Sequence, residues 1–482
     1  MSSSELSAFL SWFERNGASY DTSAIGFQDF EPSEGGRGAV ALRDIPEDHI
    51  LFTIPRSLTL STRTSSLPNI LGVEEWKRNK LDEGWAGLIL CMMWERAQGA
   101  TSRWAEYLDS LPTSFDTPMF WNDEDLEQLK GTSIVEKLGR QDAERDYKEK
   151  VLPTVKSRSD LFPAEMLPTY YTLEQYHIMG SRILSRSFDV ERWEEEDSSN
   201  EAANTSSGSA MDVDAPEREG IPEVEEEEED PVDVSMVPMA DLLNARFGSE
   251  NAKLFHEEKE LRMVSTKPIK AGEQIWNTYG DLPNAELLRR YGHIDLLPLP
   301  DGQVDNPGDV VEIRADLVVS AISREPVSQS AKERIDWYLE EGGDDVLVVE
   351  SDADLPQAMI MLIRLLLLPD EEWQRATQKR KLPKAKADTQ TLEIASGVLE
   401  NRLSQYPTTI KDDEGLLTED LPLNKRYAVS VRLGEKRILA AALEKTKRLL
   451  AVEATSNGSN KRKRQEGGSS DASKKSKTKT RK

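Results

Sequence analysis

The chain has 482 residues, of which 37% are hydrophobic and 31% charged, and its formal net charge is -27. The longest strongly apolar run, residues 358–368, is too short to span a bilayer and contains Arg364, so we expect no membrane segment. The single cysteine, Cys91, excludes an internal disulfide and a cysteine-built zinc site. The four histidines lack metal-ligand spacing, so we expect no bound metal.

The charge is unevenly spread along the chain. Residues 191–230 hold 17 Asp and Glu against two Arg, whereas residues 461–482 hold ten Lys and Arg against two acids. The remaining body is acidic, which argues against specific nucleic-acid binding and favours a basic protein partner. Residues 191–232 are nearly devoid of aromatic side chains and are predicted to be a disordered insertion, and residues 456–482 a disordered basic tail.

The apolar pattern changes several times along the chain. Residues 3–16 carry apolar side chains at helical spacing and predict a helix that Gly17 ends. The next segment, GRGAVALRDIPEDHILFTIP, predicts short strands joined by tight turns. Residues 81–181 are predicted to be mostly helical, residues 252–280 β-rich, and residues 310–455 helical.

The segment from Gly36 to Ala41, GRGAVA, matches the G-x-G-x-x-A fingerprint of dinucleotide-binding folds. That fingerprint needs a long helix after it, and Pro46 and Pro55 oppose a helix here. The remaining alternatives are a simple glycine turn and a turn whose backbone approaches a ligand closely.

Three further motifs follow the glycine turn in order: PMADLLN at 238–244, IKAGEQIWNTYG at 269–280 and NAELLRRYG at 284–292. Together they resemble the SET domain of protein lysine methyltransferases. The resemblance is to the branch typified by the Rubisco large-subunit methyltransferase and its fungal and animal ribosomal-protein and nuclear relatives.

This resemblance implies an α+β fold. It consists of a β-rich SET domain at residues 1–300, with a helical insertion at about 62–180, and an all-helical substrate-binding domain at 310–455. In the SET topology one segment threads through a loop, a rare exception to unknotted connections. That arrangement would bring Asn244 and Tyr279 together.

The resemblance also implies S-adenosylmethionine as the methyl donor. Arg186 would face the carboxylate of this cofactor, and the amide of Asn244 would accept from its ammonium group. Ala245 stands where the family has histidine, so only a main-chain contact to the adenine carries over. The implied cofactor-binding residues are Gly36, Arg37, Gly38, Arg186, Asn244, Ala245 and Tyr279.

Tyr279 matches the catalytic tyrosine of the family. Asp241, Tyr291 and Phe255 are the residues expected to line the substrate-lysine channel, although Asp241 can instead fix the local turn. His293 replaces a phenylalanine that is usual in the family, which weakens the case for adenine packing at that position.

The function expected from the resemblance is methylation of a lysine in a basic protein, with a large-subunit ribosomal protein as the first choice. A nuclear chromatin or signalling protein is the alternative substrate. A catalytically inactive SET scaffold and a histidine methyltransferase are alternative functions.

The clusters KRKR at 461–464 and KKSKTKTRK at 474–482 are spaced like a bipartite nuclear import signal. They predict a nuclear import receptor as a partner and a nuclear location, with an additional cytoplasmic pool left open. The alternative is a nonspecific basic tail that binds RNA or the acidic insertion.

Overall fold

The computed structural model describes residues 3–30, 36–192, 232–299, 302, 304–322 and 328–466, with backbone alone from 454 to 466. Two compact units divide the chain: Met1–Gln128 with Ile134–Gly308, and Leu129–Ser133 with Asp309–Lys482. The predicted acidic insertion lies outside the described residues except at its two ends, and so does the tail beyond 466.

The strands of the first unit form four antiparallel sheets, with the orders β1-β4-β8-β7, β2-β3-β9, β5-β6 and β10-β11. These strands are β1 (Ser19–Tyr20), β2 (Ile25–Asp29), β3 (Arg37–Ala41), β4 (Ile50–Pro55), β5 (Ser187–Glu191), β6 (Val232–Met236), β7 (Ala252–His256), β8 (Glu260–Ser265), β9 (Gln274–Ile275), β10 (Leu297–Pro298) and β11 (Val304–Asp305).

The helices of the first unit lie mostly between β4 and β5, the part of the chain that holds the predicted helical insertion. They are α1 (Ser3–Arg15), α2 (Leu67–Leu71), α3 (Val73–Arg78), α4 (Ala86–Ala97), α5 (Ala105–Ser110), α6 (Asp123–Glu127), α7 (Ile134–Lys137), α8 (Arg140–Asp146), α9 (Leu152–Ser157), α10 (Leu167–Tyr170), α11 (Leu173–Arg186) and α12 (Asn284–Tyr291).

Local sequence explains where several of these elements begin and what they bury. Helix α1 buries Phe9 and Phe13, as its helical spacing predicts. Helix α4 is apolar on nearly every face and is buried along most of its length. Helix α11 begins where the Thr172 side chain accepts from the backbone N–H of Gln175, which is a standard N-cap.

The glycine motif at 36–41 leads into a strand and not into a helix. Strand β3 pairs with β2 from Arg37 to Ala41 and with β9 at Ala39 and Val40. The dinucleotide-binding alternative therefore has no structural support here, since its fingerprint requires a helix after the turn.

The second unit contains α13 (Ala315–Ile322), α14 (Gln329–Glu340), α15 (Gln357–Leu367), α16 (Asp370–Lys379), α17 (Thr389–Ser404), α18 (Ile410–Leu416), α19 (Leu423–Glu466), β12 (Val311–Arg314) and β13 (Val346–Val349). The prediction of an all-helical unit is wrong in one respect, because β12 and β13 pair antiparallel. Val311, Ile313, Leu347 and Val349 alternate inward along this pair and join the core.

Helix α19 runs to Glu466 and so includes the first residues of the predicted tail, which starts at residue 456. The sequence from 456 to 466 holds Gly458 but no proline. Extending an existing helix costs far less than nucleating one, which explains why the element continues into polar sequence. Among the described residues, no helix has the length and apolar character needed to cross a membrane.

Candidate active site

Two segments that are distant in sequence meet next to the predicted catalytic tyrosine. Ala245 and Asn277 form an isolated parallel bridge, and the N–H of Asn277 donates to the Asn244 carbonyl at 2.9 Å. Tyr279 lies two residues beyond this bridge, and its hydroxyl donates to the Leu243 carbonyl at 3.3 Å. The structure therefore brings Asn244 and Tyr279 together, as the threaded topology predicts.

A sharp turn sets the path of the first of these segments. Strand β6 ends at Met236, and Met239 then adopts a φ of 77°, a region that residues other than glycine rarely occupy. A single 3-10 turn follows at Ala240–Leu242 and buries the side chain of Asp241. A strained residue at such a position is typical of functional sites.

The glycine at position 38 makes room for the amide of Asn244. A Cβ atom on Gly38 would lie 2.6 Å from Asn244 Nδ2 and 2.5 Å from Gln274 Oε1, so no larger residue fits without displacing both. Asn244 Nδ2 donates to Gln274 Oε1 at 2.7 Å. This bond fixes the amide so that Asn244 Oδ1 remains the atom able to accept from a ligand.

Tyr279 is held by a second aromatic ring as well as by its hydroxyl. Its ring stacks on Tyr291, with centroids 4.2 Å apart and planes within 3° of parallel. Burial raises the pKa of Tyr279, and nearby Asp241 raises it further against the opposing effect of Arg186. The hydroxyl therefore stays protonated at neutral pH, which suits orienting a substrate and not removing a proton.

Asp241 is a buried acid that lies next to Tyr107, Arg186 and Tyr279. These four residues are called the Asp241 cluster. The Oδ2 of Asp241 accepts from the Tyr107 hydroxyl at 2.7 Å, and its backbone carbonyl accepts from Arg186 Nη1 at 2.5 Å. Burial raises the pKa of Asp241 to about 6, although Arg186 and the Tyr107 hydroxyl favour the charged form. Among the described residues, nothing donates a hydrogen bond to Oδ1 of Asp241 or accepts one from Nε of Arg186.

A small, open cavity of about 10 Å³ lies beside Tyr279. Its lining comes from the two segments that meet here and from α12 and the residues after it: Ala245, Arg246, Phe247, Gly248, Glu250, Thr278, Tyr279, Gly280, Asp281, Leu282, Leu287 and Asp295. Ala245 therefore faces open space at the position where the family has histidine. Among the described residues, no group of three or more acidic, histidine or cysteine side chains could hold a metal ion.

The remaining predicted site residues lie further from this cluster or contribute less to it. Phe255 on β7 is 43% exposed, and the Lys253 ammonium lies 5.8 Å from its ring centroid; no described contact joins it to Tyr279. Its channel role stays a prediction.

Arg37 pairs with Asp29 through two hydrogen bonds of 2.7 Å, and Gly36 has a φ of 69°.

His293 lies next to Tyr291, at the position where the family usually has phenylalanine. Its ring centroid lies 6.0 Å from that of Tyr291, with the planes tilted by 50°. Burial lowers the pKa of His293, so the imidazole is neutral at physiological pH.

Three residues of the site were absent from the sequence-based prediction: Tyr107, Gln274 and Asn277. Asn277 could have been found, because it begins the NTYG motif. Tyr107 is separated from Asp241 by 134 positions and Gln274 from Asn244 by 30, and no local pattern marks either residue.

Comparison with known protein families matches a SET-domain model to residues 36–280 and a Rubisco LSMT substrate-binding model to residues 320–439. The chain belongs to the SET-domain family. The predicted family and its mixed helix and sheet fold are confirmed.

Known relatives agree with this assignment. Ribosomal lysine N-methyltransferase 4 of Saccharomyces cerevisiae is 32% identical over 60% of this chain, a match that spans 55% of that protein's length. N-lysine methyltransferase SETD6 of Homo sapiens is 29% identical over 85% of this chain and 84% of its own length. The fold resembles the crystal structure of LSMT bound to lysine and AdoHcy, with a TM-score of 0.64 and 20% identity over 92% of this chain and 91% of that one.

Proposed function

We propose that this protein transfers methyl groups to a lysine of a large-subunit ribosomal protein. At the level of enzyme class, the chain is a protein-lysine N-methyltransferase that uses S-adenosylmethionine, in agreement with its SET-domain membership and the names of its relatives. The observation that supports methyl transfer at this site is the convergence of Tyr279, Asp241, Arg186 and Asn244 where two distant segments meet.

The residues present fit S-adenosylmethionine. Its amino-acid moiety carries a carboxylate and an ammonium group. Arg186 offers a buried Nε–H without a protein partner among the described residues, and Asn244 offers a fixed amide oxygen. Because Gly38 has no side chain, a ligand can approach the backbone closely next to the Asn244 amide. When bound, the cofactor supplies an electrophilic methyl group on a sulfonium sulfur.

The chain's own residues explain how the acceptor lysine is prepared. A lysine entering beside the rings of Tyr279 and Tyr291 leaves bulk water, and low polarity lowers the pKa of an ammonium group and favours the neutral amine. The protonated Tyr279 hydroxyl orients this amine. Fixed alignment of two reactants can contribute roughly 7–11 kcal/mol to lowering a barrier.

Two observations support a ribosomal substrate. The yeast relative is named for ribosomal lysine methylation. The formal net charge of -27 favours association with basic proteins, and ribosomal proteins are generally basic.

The human relative supports a second candidate substrate. Its alignment extends over 85% of this chain, against 60% for the yeast protein, and its name specifies an N-lysine methyltransferase without a ribosomal substrate. A nuclear chromatin or signalling protein is therefore the alternative acceptor. The retained Tyr279, Asn244 and Arg186 argue against an inactive scaffold.

The direct test is incubation of the protein with labelled S-adenosylmethionine and an extract from cells that lack it, followed by mass spectrometry of the labelled protein. We expect label on a lysine of a large-subunit ribosomal protein. Label on a lysine of another protein would support the alternative substrate. Intact cofactor binding without transfer to any lysine would support the scaffold.

The Tyr279→Phe variant tests the mechanism in the same assay. We expect turnover to fall by roughly 10²-fold, the scale of losing one oriented hydrogen-bonding group at a reacting centre, with cofactor affinity nearly unchanged. Tyr147→Phe is a matched control, because the Tyr147 hydroxyl also donates to a backbone carbonyl, that of Tyr171 at 2.8 Å. Unchanged turnover in Tyr279→Phe would remove Tyr279 from the mechanism.

We also propose that the basic clusters at 461–464 and 474–482 carry the protein into the nucleus. Their bipartite spacing supports this, and the first cluster falls within the range of α19. Deleting residues 461–482 should make a fluorescently tagged protein cytoplasmic. Continued nuclear accumulation would assign the tail another role, such as binding RNA.

A further inference from the structure

We infer that Tyr107 is a positioning residue that presents one oxygen of Asp241 to an N–H group of the target lysine. The inference rests on the proposed lysine methylation and deepens it. Tyr107 lies in the helical insertion and in none of the SET motifs. The inference adds this residue to those that determine lysine binding.

The first step of the argument is the uneven use of the two carboxylate oxygens. Asp241 is 6% exposed, and its Oδ2 accepts from the Tyr107 hydroxyl at 2.7 Å. Among the described residues, no group donates a hydrogen bond to Oδ1. A buried acceptor without a donor is costly, so Oδ1 is the oxygen of Asp241 that is available to an N–H group of a bound substrate.

The second step is the rigidity of Tyr107. Its ring is 1% exposed and stacks on Trp12, with centroids 5.9 Å apart and planes within 9°. The Trp12 indole is itself fixed by donating to the Arg103 carbonyl at 2.8 Å. Tyr107 cannot follow a rotating carboxylate, so Asp241 has to keep the orientation that places Oδ2 on this hydroxyl.

The third step is the charge around Asp241. Three charged or titratable side chains face it from the elements that pack against it: Tyr107 on α5, Arg186 at the end of α11, and Tyr279 after β9. Arg186 uses its Nη1 on the Asp241 backbone carbonyl and not on the carboxylate. The free oxygen is thus a single acceptor beside the catalytic tyrosine, and an ammonium or amine N–H is the complementary donor.

The pH dependence of methylation separates positioning from simple support of the fold. The Tyr107 hydroxyl stabilises charged Asp241, so its removal should raise the pH at which Asp241 loses its negative charge on acidification. In Tyr107→Phe we expect the acidic limb of kcat/KM to move up by about one pH unit, which is roughly a tenfold loss on that limb. The kcat/KM profile of Asp241→Asn should lack this acidic limb, because the asparagine side chain does not titrate.

Tyr406→Phe provides the matched control. Tyr406 is also buried and donates to a buried carboxylate, that of Glu435 at 2.6 Å, but it belongs to the second unit. In the Tyr406→Phe variant, the acidic limb of the kcat/KM profile should coincide with that of the wild type. A shift of equal size in both variants, no shift in Tyr107→Phe, or a retained limb in Asp241→Asn would overturn the inference.

A binding measurement on the wild-type chain, in which a variant serves only to assign one signal, reduces the dependence on how the variants fold. The protein is labelled with ¹³C at aspartate carboxyl carbons, and the Asp241 signal is identified by its absence in Asp241→Asn. n-Butylammonium chloride, a mimic of the lysine side chain, should shift this signal more than any other aspartate signal. An unmoved Asp241 signal would overturn the inference even if the protein methylates lysine, whereas absent methyl transfer by the wild type would refute the proposed function itself.

Discussion

The two units each bury a carboxylate that accepts from a tyrosine hydroxyl, and the two pairs differ in what surrounds the acid. In the second unit, Glu435 Oε2 lies 2.6 Å from the Tyr406 hydroxyl and 3.7 Å from Arg402 Nη2, while Oε1 accepts from the backbone and side chain of Ser133 at 3.4 Å. In the first unit, Oδ1 of Asp241 has no such donor among the described residues.

This difference distinguishes a structural acid from a functional one. Glu435 has partners at both oxygens and holds its neighbours together, so its removal should damage the fold. Asp241 has one oxygen unused, so its removal should damage substrate binding more than folding. Burial raises the pKa of both acids, to about 7 for Glu435 and about 6 for Asp241, so a raised pKa alone does not separate the two roles.

The largest expected effect follows from deleting the structural acid. Glu435→Ala leaves the buried Arg402 guanidinium without its counter-charge, and breaking a buried pair costs about 3–5 kcal/mol. Hydrogen exchange of peptides from α17 and α19 should report this loss of local stability. The control, Glu414→Ala, removes a half-exposed partner of Arg437 and should cost less than about 1 kcal/mol. Equal losses in the two variants would contradict the structural role of Glu435.

A second experiment compares the two acids through isosteric changes. Asp241→Asn should lower kcat/KM by about 10- to 150-fold, because a hydrogen bond to a charged group contributes about 1.5–3 kcal/mol. Glu435→Gln should leave kcat/KM within about twofold once the variant is folded. If Glu435→Gln lowered kcat/KM as much as Asp241→Asn does, the distinction between the two acids would be lost.

The pH dependence of stability gives a smaller effect with a defined sign. Because the pKa of Glu435 is raised in the folded state, the folded chain binds the proton more readily, and stability falls as pH rises from about 4.5 to about 7. The decrease amounts to at most about 3 kcal/mol. Glu435→Gln cannot titrate here, so the stability of the wild type relative to this variant should decline over that range in hydrogen-exchange measurements. A constant difference would show that Glu435 does not titrate as described.

The smallest effect is expected for Phe255→Ala. The ring is 43% exposed on β7, and substitutions at such surface positions usually change stability by less than about 0.5 kcal/mol. We expect kcat/KM to change less than about twofold in the methylation assay. A tenfold decrease would instead support the predicted role of Phe255 in the lysine channel.

Sequence alone predicts the parts of this molecule that local pattern determines. Helical spacing gives α1, α4 and α11, and the ordered motifs give the SET family and the meeting of Asn244 with Tyr279. The pair β12 and β13 is missed, because each strand has only four residues and leaves little periodic signal. The strands are separated by 31 residues and lie among helices. Tyr107 is missed for a different reason: its contact with Asp241 depends on how the helical insertion packs, which no motif encodes.

The segment Leu129–Ser133 has a consequence for how the protein is made. These five residues belong to the second unit although the residues on either side of them belong to the first. The Gly131 carbonyl accepts a hydrogen bond from Arg402 Nη1 at 2.8 Å, and the backbone N–H of Ser133 donates to Glu435, 302 positions later. At a synthesis rate of about 5–20 residues per second, Glu435 is synthesised roughly 15–60 s after Ser133. The second unit can therefore close around this segment only after residue 435 has been synthesised, and a chain released before residue 435 lacks the Glu435 partner of Ser133.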